Sequence, residues 1–206
     1  MSQDGKSLPG TQGYGTEADD LVERYESLVF EDLYRPVLAL LPGRGRALDI
    51  GAGTGRDAAA LARRGFRVHA VEPTPELRRH AQRLHAEPGI VWIDDGLPDL
   101  ARVRAAGGRF DLILMSAVWM HLDEGERSRA LPHLVELLAP GGRLFMTIRR
   151  GPVPAGRRMF LVPVDPLVSQ AQAIGLTLLH RDEFADRLGR EGVTWTMLAF
   201  ENKNRV

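Results

Sequence analysis

A chain of 206 residues, 44% of them hydrophobic, is long enough to bury one substantial core. Its 27 basic residues balance 27 acidic ones, so no field of one sign gathers nucleic acid or an anionic membrane surface, and the absence of cysteine excludes disulfides, thiolate metal sites and a cysteine nucleophile. No apolar run approaches the roughly 20 residues that a membrane helix needs, and the N-terminus lacks the apolar core of a signal peptide, so the chain reads as a soluble cytoplasmic protein.

Residues 1–15 are rich in Gly, Ser, Gln and Thr and read as a flexible arm, leaving residues 16–206 as a single domain. Leu21, Val22, Tyr25, Leu28 and Val29 follow at helical spacing with acids near the start, which predicts one amphipathic helix laid against the domain; Pro36 and Pro42-Gly43 close it. From Arg46 onward short apolar runs alternate with helical patterns. "RALDIG", "FRVHAVE", "GIVWIDD", "RFDLILMSAV" and "GRLFMTIR" read as strands. Between them lie helices through "DAAALARRG" and "TPELRRHAQRLHA", a short one around 97–106, and one from about Glu124 to Leu138. Unbroken apolar strands alternating with helices signal parallel βαβ units. "GLTLLHRDEF" and "VTWTMLAFEN" then predict two strands joined by a short helical piece, too little for a crossover, so the last strand runs antiparallel. The expected fold is α/β: a doubly wound, mostly parallel seven-stranded sheet with an antiparallel last strand, helices on both faces and an N-terminal helical lid.

In such a sheet, ligands bind at the carboxyl ends of the strands where strand order reverses, and the loop after the first strand lies there. Gly51, Gly53 and Gly55 allow a tight turn and a close approach of backbone to ligand. A dinucleotide fingerprint would place its third glycine where Arg56 stands. Asp49, just before the loop, would repel a pyrophosphate but suits a ligand's ammonium group. Glu72, ending the second strand, is placed to accept from both hydroxyls of a ribose. The implied ligand carries a ribose and an ammonium but no phosphate, a description that S-adenosylmethionine meets.

With these residues the chain resembles the class I (Rossmann-like) S-adenosylmethionine-dependent methyltransferases over roughly residues 20–201. "LDIGAGTG" is similar to the family's first motif, "IDD" to its adenine-side acid, "FDLILMSAVWMHL" to its fourth strand and following loop, and "LAPGGRLFMTI" to the turn into its fifth. The resemblance implies a cofactor site made of Asp49, Gly51, Ala52, Gly53, Gly55, Glu72, Pro73, Asp94 or Asp95, Ser116 and Ala117, with Tyr25 on the covering segment and S-adenosylhomocysteine as product. It also implies an N-terminal cover carrying Tyr14, Trp119 either as a wall of the acceptor pocket or as core filling, and His121 either as a general base or as a packing residue. Arg149 and Arg150, at the end of the fifth strand with Arg157 and Arg158 close by, suit an anionic acceptor. The acceptor expected is a small molecule, with aromatic or acidic ones favoured, methylated on oxygen or nitrogen, with no metal and with a monomer or homodimer as the working form. An NAD(P)-dependent reductase and a non-catalytic methyltransferase-like binding subunit are the alternatives.

Overall fold

The computed structural model describes residue 8 and residues 10–204. Of the expected arm, residues 1–7 and 9 lie outside the described residues, whereas Gly10–Gly15 run through turns across the mouth of a cavity. The single helix expected next is split. Helix α1 spans Ala18–Glu26, α2 spans Phe30–Tyr34, and a 3-10 segment covers Arg35–Leu40. Val29 between them is extended, which lets Phe30 and Tyr34 turn into the core while Leu21 and Tyr25 stay over the cavity.

The remaining elements are β1 (Gly45–Ile50), α3 (Arg56–Arg63), β2 (Phe66–Val71), α4 (Pro75–Leu84), β3 (Ile90–Ile93), α5 (Ala101–Ala106), β4 (Phe110–Ser116), α6 (Glu124–Leu137), β5 (Leu138–Arg150), α7 (Val164–Ala173), β6 (Leu176–Ala185) and β7 (Thr194–Asn202). The sheet order is β3-β2-β1-β4-β5-β7-β6, with β7 antiparallel to both its neighbours and the other pairings parallel. Strand order therefore reverses between β1 and β4.

Both faces of the sheet are covered. Alternate side chains feed two cores: Leu48, Ile50, Ile113 and Met115 pack against α6 and α7, while Ala47, Leu112 and Leu114 pack against α2 and α3. The helical piece expected between the last two strands is absent. Residues 186–193 form turns, with Gly189 and Gly192 at φ of 69° and 67° and the Asp186 carboxylate accepting from the Arg190 amide at 2.9 Å. Because β7 runs antiparallel, its first residues return to the sheet edge where β5 ends, and Trp195 pairs with Arg149.

Candidate functional site

A cavity of about 260 Å³ opens at the carboxyl edge of β1, β4 and β5 and is roofed by the N-terminal segment. Its floor is the turn after β1. The amides of Gly51 and Ala52 donate to the Val71 carbonyl at 2.8 and 2.9 Å, and the Gly53 amide donates to Oε2 of Glu72 at 2.8 Å. The other Glu72 oxygen accepts from the Thr74 amide at 2.8 Å. Burial pushes this carboxyl above its ordinary value, opposed by the two amides.

The three glycines serve different ends. At Gly51 (φ 69°) a Cβ would lie 2.5 Å from Cγ2 of Val118, and at Gly55 (φ 89°) 2.6 Å from the Trp92 ring, so both positions allow close packing. At Gly53 (φ 57°) a Cβ would meet nothing closer than 3.9 Å and would stand in the cavity itself, opposite the Tyr25 ring. Gly51, Ala52 and Gly53 line the cavity with Pro73, Ser116 and Ala117, and Gly55 sits behind it.

Asp49, the last residue but one of β1, has 1% of its surface exposed. Its Oδ2 has no hydrogen-bond partner among the described residues. Burial, with Asp57 beside it, pushes the carboxyl well above its usual range. Asp57 is itself satisfied by Arg56, at 2.7 and 2.9 Å, and by the Tyr34 hydroxyl at 2.9 Å. The orphaned oxygen at a glycine cradle, with a buried acid beyond, fits the ammonium and ribose of S-adenosylmethionine.

On the adenine side the two candidate acids do not reach the cavity. Asp94 faces outward to Arg78 at 3.1 Å, and Asp95 is spent on the start of α5, accepting from the amides of Gly96, Arg102 and Val103 at 2.8 to 3.0 Å. Gly96 and Leu97, which the sequence reading missed, line the wall there instead.

The acceptor side is partly as expected in its makeup. His121 is 7% exposed and lies in the cavity wall, its Nδ1 2.8 Å from the Arg158 carbonyl and its Nε2 3.0 Å from the Tyr14 hydroxyl. Trp119, two residues earlier on the same 3-10 turn (Trp119–His121), points the other way into the core and does not line the cavity. Arg149 faces the cavity and Arg150 faces solvent, because successive residues of a strand alternate faces. Arg149 is 8% exposed, yet its Nε has no partner among the described residues, and its Nη1 makes only long contacts, 3.5 Å to the Gly151 carbonyl and 4.0 Å to Met159 Sδ. Burial, with Arg190 nearby, lowers its pKa.

The wall is completed by Arg157, expected near Arg149, and by the connection before β7, whose Asp186 and Arg190 carried no sequence signal. Arg157 stacks over Tyr14, 4.0 Å from the ring centroid, and pairs with Glu17 at 2.7 Å. Asp186 binds Arg190 at 2.6 Å and accepts from the Trp195 indole at 2.8 Å.

A family model described as a methyltransferase domain matches residues 47–142. A ubiquinone biosynthesis O-methyltransferase from Xanthomonas axonopodis pv. citri is 34% identical over 117 residues, covering 55% of this chain and 47% of that protein. The chain thus spans about half the length of this curated relative. Among solved structures, a TehB-like S-adenosylmethionine-dependent methyltransferase from Corynebacterium glutamicum superimposes with a TM-score of 0.63 at 25% identity, covering 91% of this chain and 99% of that one. The fold is shared with the Burkholderia thailandensis 1,6-didemethyltoxoflavin-N1-methyltransferase, at a TM-score of 0.64 and 22% identity over 98% of this chain and 94% of the other. Residues 47–142 thus match a methyltransferase domain, and the seven-stranded sheet of this order, with its glycine cradle flanked by Asp49 and Glu72, has the fold of the class I S-adenosylmethionine-dependent methyltransferases.

Proposed function

We propose that this protein transfers the methyl group of S-adenosylmethionine to an oxygen or nitrogen of a small, planar acceptor bearing an acidic group. The observation that carries the cofactor assignment is the buried, unpartnered Oδ2 of Asp49 at the rim of the glycine turn. Asp49 would take the ammonium, Glu72 the ribose, and the wall at Gly96 and Leu97 the adenine side, with Tyr25 covering the turn at Gly53. When bound, the cofactor supplies a methyl group already activated by its sulfonium, so the chain contributes alignment and exclusion of water. The acceptor reading rests on Arg149, a buried guanidinium without a firm partner, which lines the same cavity as Tyr14, Tyr25 and Trp195. Arginine forks match carboxylates, and aromatic walls orient planar ligands. The named relatives point the same way in kind: one methylates an oxygen in ubiquinone biosynthesis, and one takes 1,6-didemethyltoxoflavin.

A nicotinamide reading has little to stand on, since a pyrophosphate at this turn would face the Asp49 and Asp57 carboxylates. Calorimetric titration with S-adenosylhomocysteine, NADH and NADPH tests the cofactor assignment. Low-micromolar or tighter binding of S-adenosylhomocysteine alone is expected, and preferential binding of either nicotinamide would overturn it. Turnover of acidic against neutral aromatic acceptors tests the rest, and a binding subunit would turn over neither.

A further inference from the structure

The wall of the cavity holds a chain of hydrogen bonds whose polarity is fixed at one end. The Arg158 carbonyl can only accept, so Nδ1 of His121, 2.8 Å away, carries the proton. In the neutral ring Nε2 is then a bare acceptor, and the Tyr14 hydroxyl at 3.0 Å donates to it. With its own proton committed, the Tyr14 oxygen is left as an acceptor, and the Tyr25 ring lines the same cavity beside it. His121 therefore does not present its lone pair to a ligand; Tyr14 stands in front of it.

Resting on the methyltransferase reading above, we propose that Tyr14 is the catalytic group that receives the acceptor's proton and relays it to His121, which fixes the acceptor class as a phenol or enol methylated on oxygen. The acceptor O–H proton passes to the Tyr14 oxygen as the Tyr14 proton passes to Nε2. The oxygen's electron pair forms the new bond to the methyl carbon while the carbon–sulfur bond breaks onto sulfur. The products are a methyl ether, a neutral thioether and an imidazolium, which returns its proton to solvent. An amine acceptor would need no such chain, because its own lone pair is already free.

The surroundings suit this division of labour. Burial of Tyr14, with Tyr25 and Glu72 near it, raises the phenol's pKa, so it passes a proton on without resting as a phenolate. The imidazole faces Tyr14 from the N-terminal segment, Arg149 at the end of β5, and Arg157 and Arg158 from the loop after it. Arg158 is in turn paired with Asp123 and Glu126 at the head of α6. Burial and the three guanidiniums hold His121 below its ordinary pKa, which keeps it neutral and receptive near pH 7.

The test uses 4-nitrophenol as a chromogenic phenol on the full chain saturated with S-adenosylhomocysteine. The bound probe should absorb as nitrophenolate at a bulk pH where the free probe is neutral. Tyr14→Phe should reduce the ionised fraction at least tenfold while changing affinity for S-adenosylhomocysteine less than threefold. Long-range proton–nitrogen correlation spectra of histidine-labelled wild type supply a readout independent of any variant: Nδ1 protonated, Nε2 bare and hydrogen-bonded. A probe that fails to bind, or stays neutral when bound, overturns the relay, as does equal ionisation in Tyr14→Phe or a proton found on Nε2 at neutral pH. Failure of S-adenosylhomocysteine itself to bind would instead sink the methyltransferase reading, and the nitrogen spectra would still judge the relay.

Discussion

The amide of Gly53 donates to Oε2 of Glu72 across 2.8 Å, so the acid proposed to hold the ribose also holds the turn proposed to cradle the rest of the cofactor. Glu72→Ala should therefore act twice. Loss of charge-assisted hydrogen bonds weakens S-adenosylhomocysteine binding by about 1.5–3 kcal/mol. The two amides left without an acceptor in a buried site lower stability by about 1–3 kcal/mol. Calorimetry and thermal melts separate the two effects, and an unchanged affinity would remove Glu72 from the site.

Asp49 carries a stability cost in the empty protein. Its folded pKa lies above its unfolded value, so its contribution favours the fold below the unfolded pKa and is lost as pH rises through the window between the two. Asp49→Asn should thus raise the melting temperature at pH 7, by a free energy of about 1 kcal/mol or more, while abolishing cofactor binding. In the wild type, an incoming ammonium needs the ionised carboxylate. Affinity for S-adenosylhomocysteine should fall as pH drops through the raised pKa, and binding at pH values below it should release a proton, seen as a buffer-dependent binding enthalpy.

The glycines should separate by variant. Gly53→Val puts its branches into the cavity, where no protein atom lies closer than 3.9 Å to the new Cβ, and should abolish binding with stability lowered by about 1–2 kcal/mol for the left-handed backbone. Gly55→Val drives a Cβ to 2.6 Å from Trp92 and should unfold the β1–α3 corner. Denaturation midpoints for both variants, beside binding, check the contrast.

Arg149→Gln should raise KM for an acidic acceptor about tenfold or more, the loss of a charge-assisted bond, with little change in cofactor affinity. Arg150→Gln, altering a residue that faces solvent, should leave both constants alone. Equal effects from the two substitutions would refute the assignment.

The sheet was legible because apolar runs and glycine-ended helices repeat from Arg46 to Ile148, and the cofactor loop because Gly51, Gly53 and Glu72 lie within one βαβ unit. Trp119 and Arg150 show where such reading stops. Both flank a wall residue in sequence, and each points away from the cavity, because the face a side chain takes depends on strand phase and turn geometry that residue type does not encode. Asp95 stands at the expected position, but the amide of Gly96 and two amides of the next helix, those of Arg102 and Val103, occupy its oxygens. Arg190 and Asp186 belong to a connection without periodicity, and only the antiparallel return of β7 brings them near Tyr25.

That return has a consequence for how the chain can change over evolutionary time. The residues proposed for the cofactor lie between Asp49 and Ala117, apart from the overlying Tyr25, and the matched family model covers 47–142. Apart from His121, the acceptor wall is drawn from both ends of the chain, Tyr14 on one side and Arg149, Arg157 and Trp195 on the other. Under the proposed activity, drift in the two flanks can retune which molecule receives the methyl group while the middle stays under unchanged selection. Inheritance of the reaction and inheritance of the target are then separable, and chimeras exchanging only the flanks should carry specificity with them.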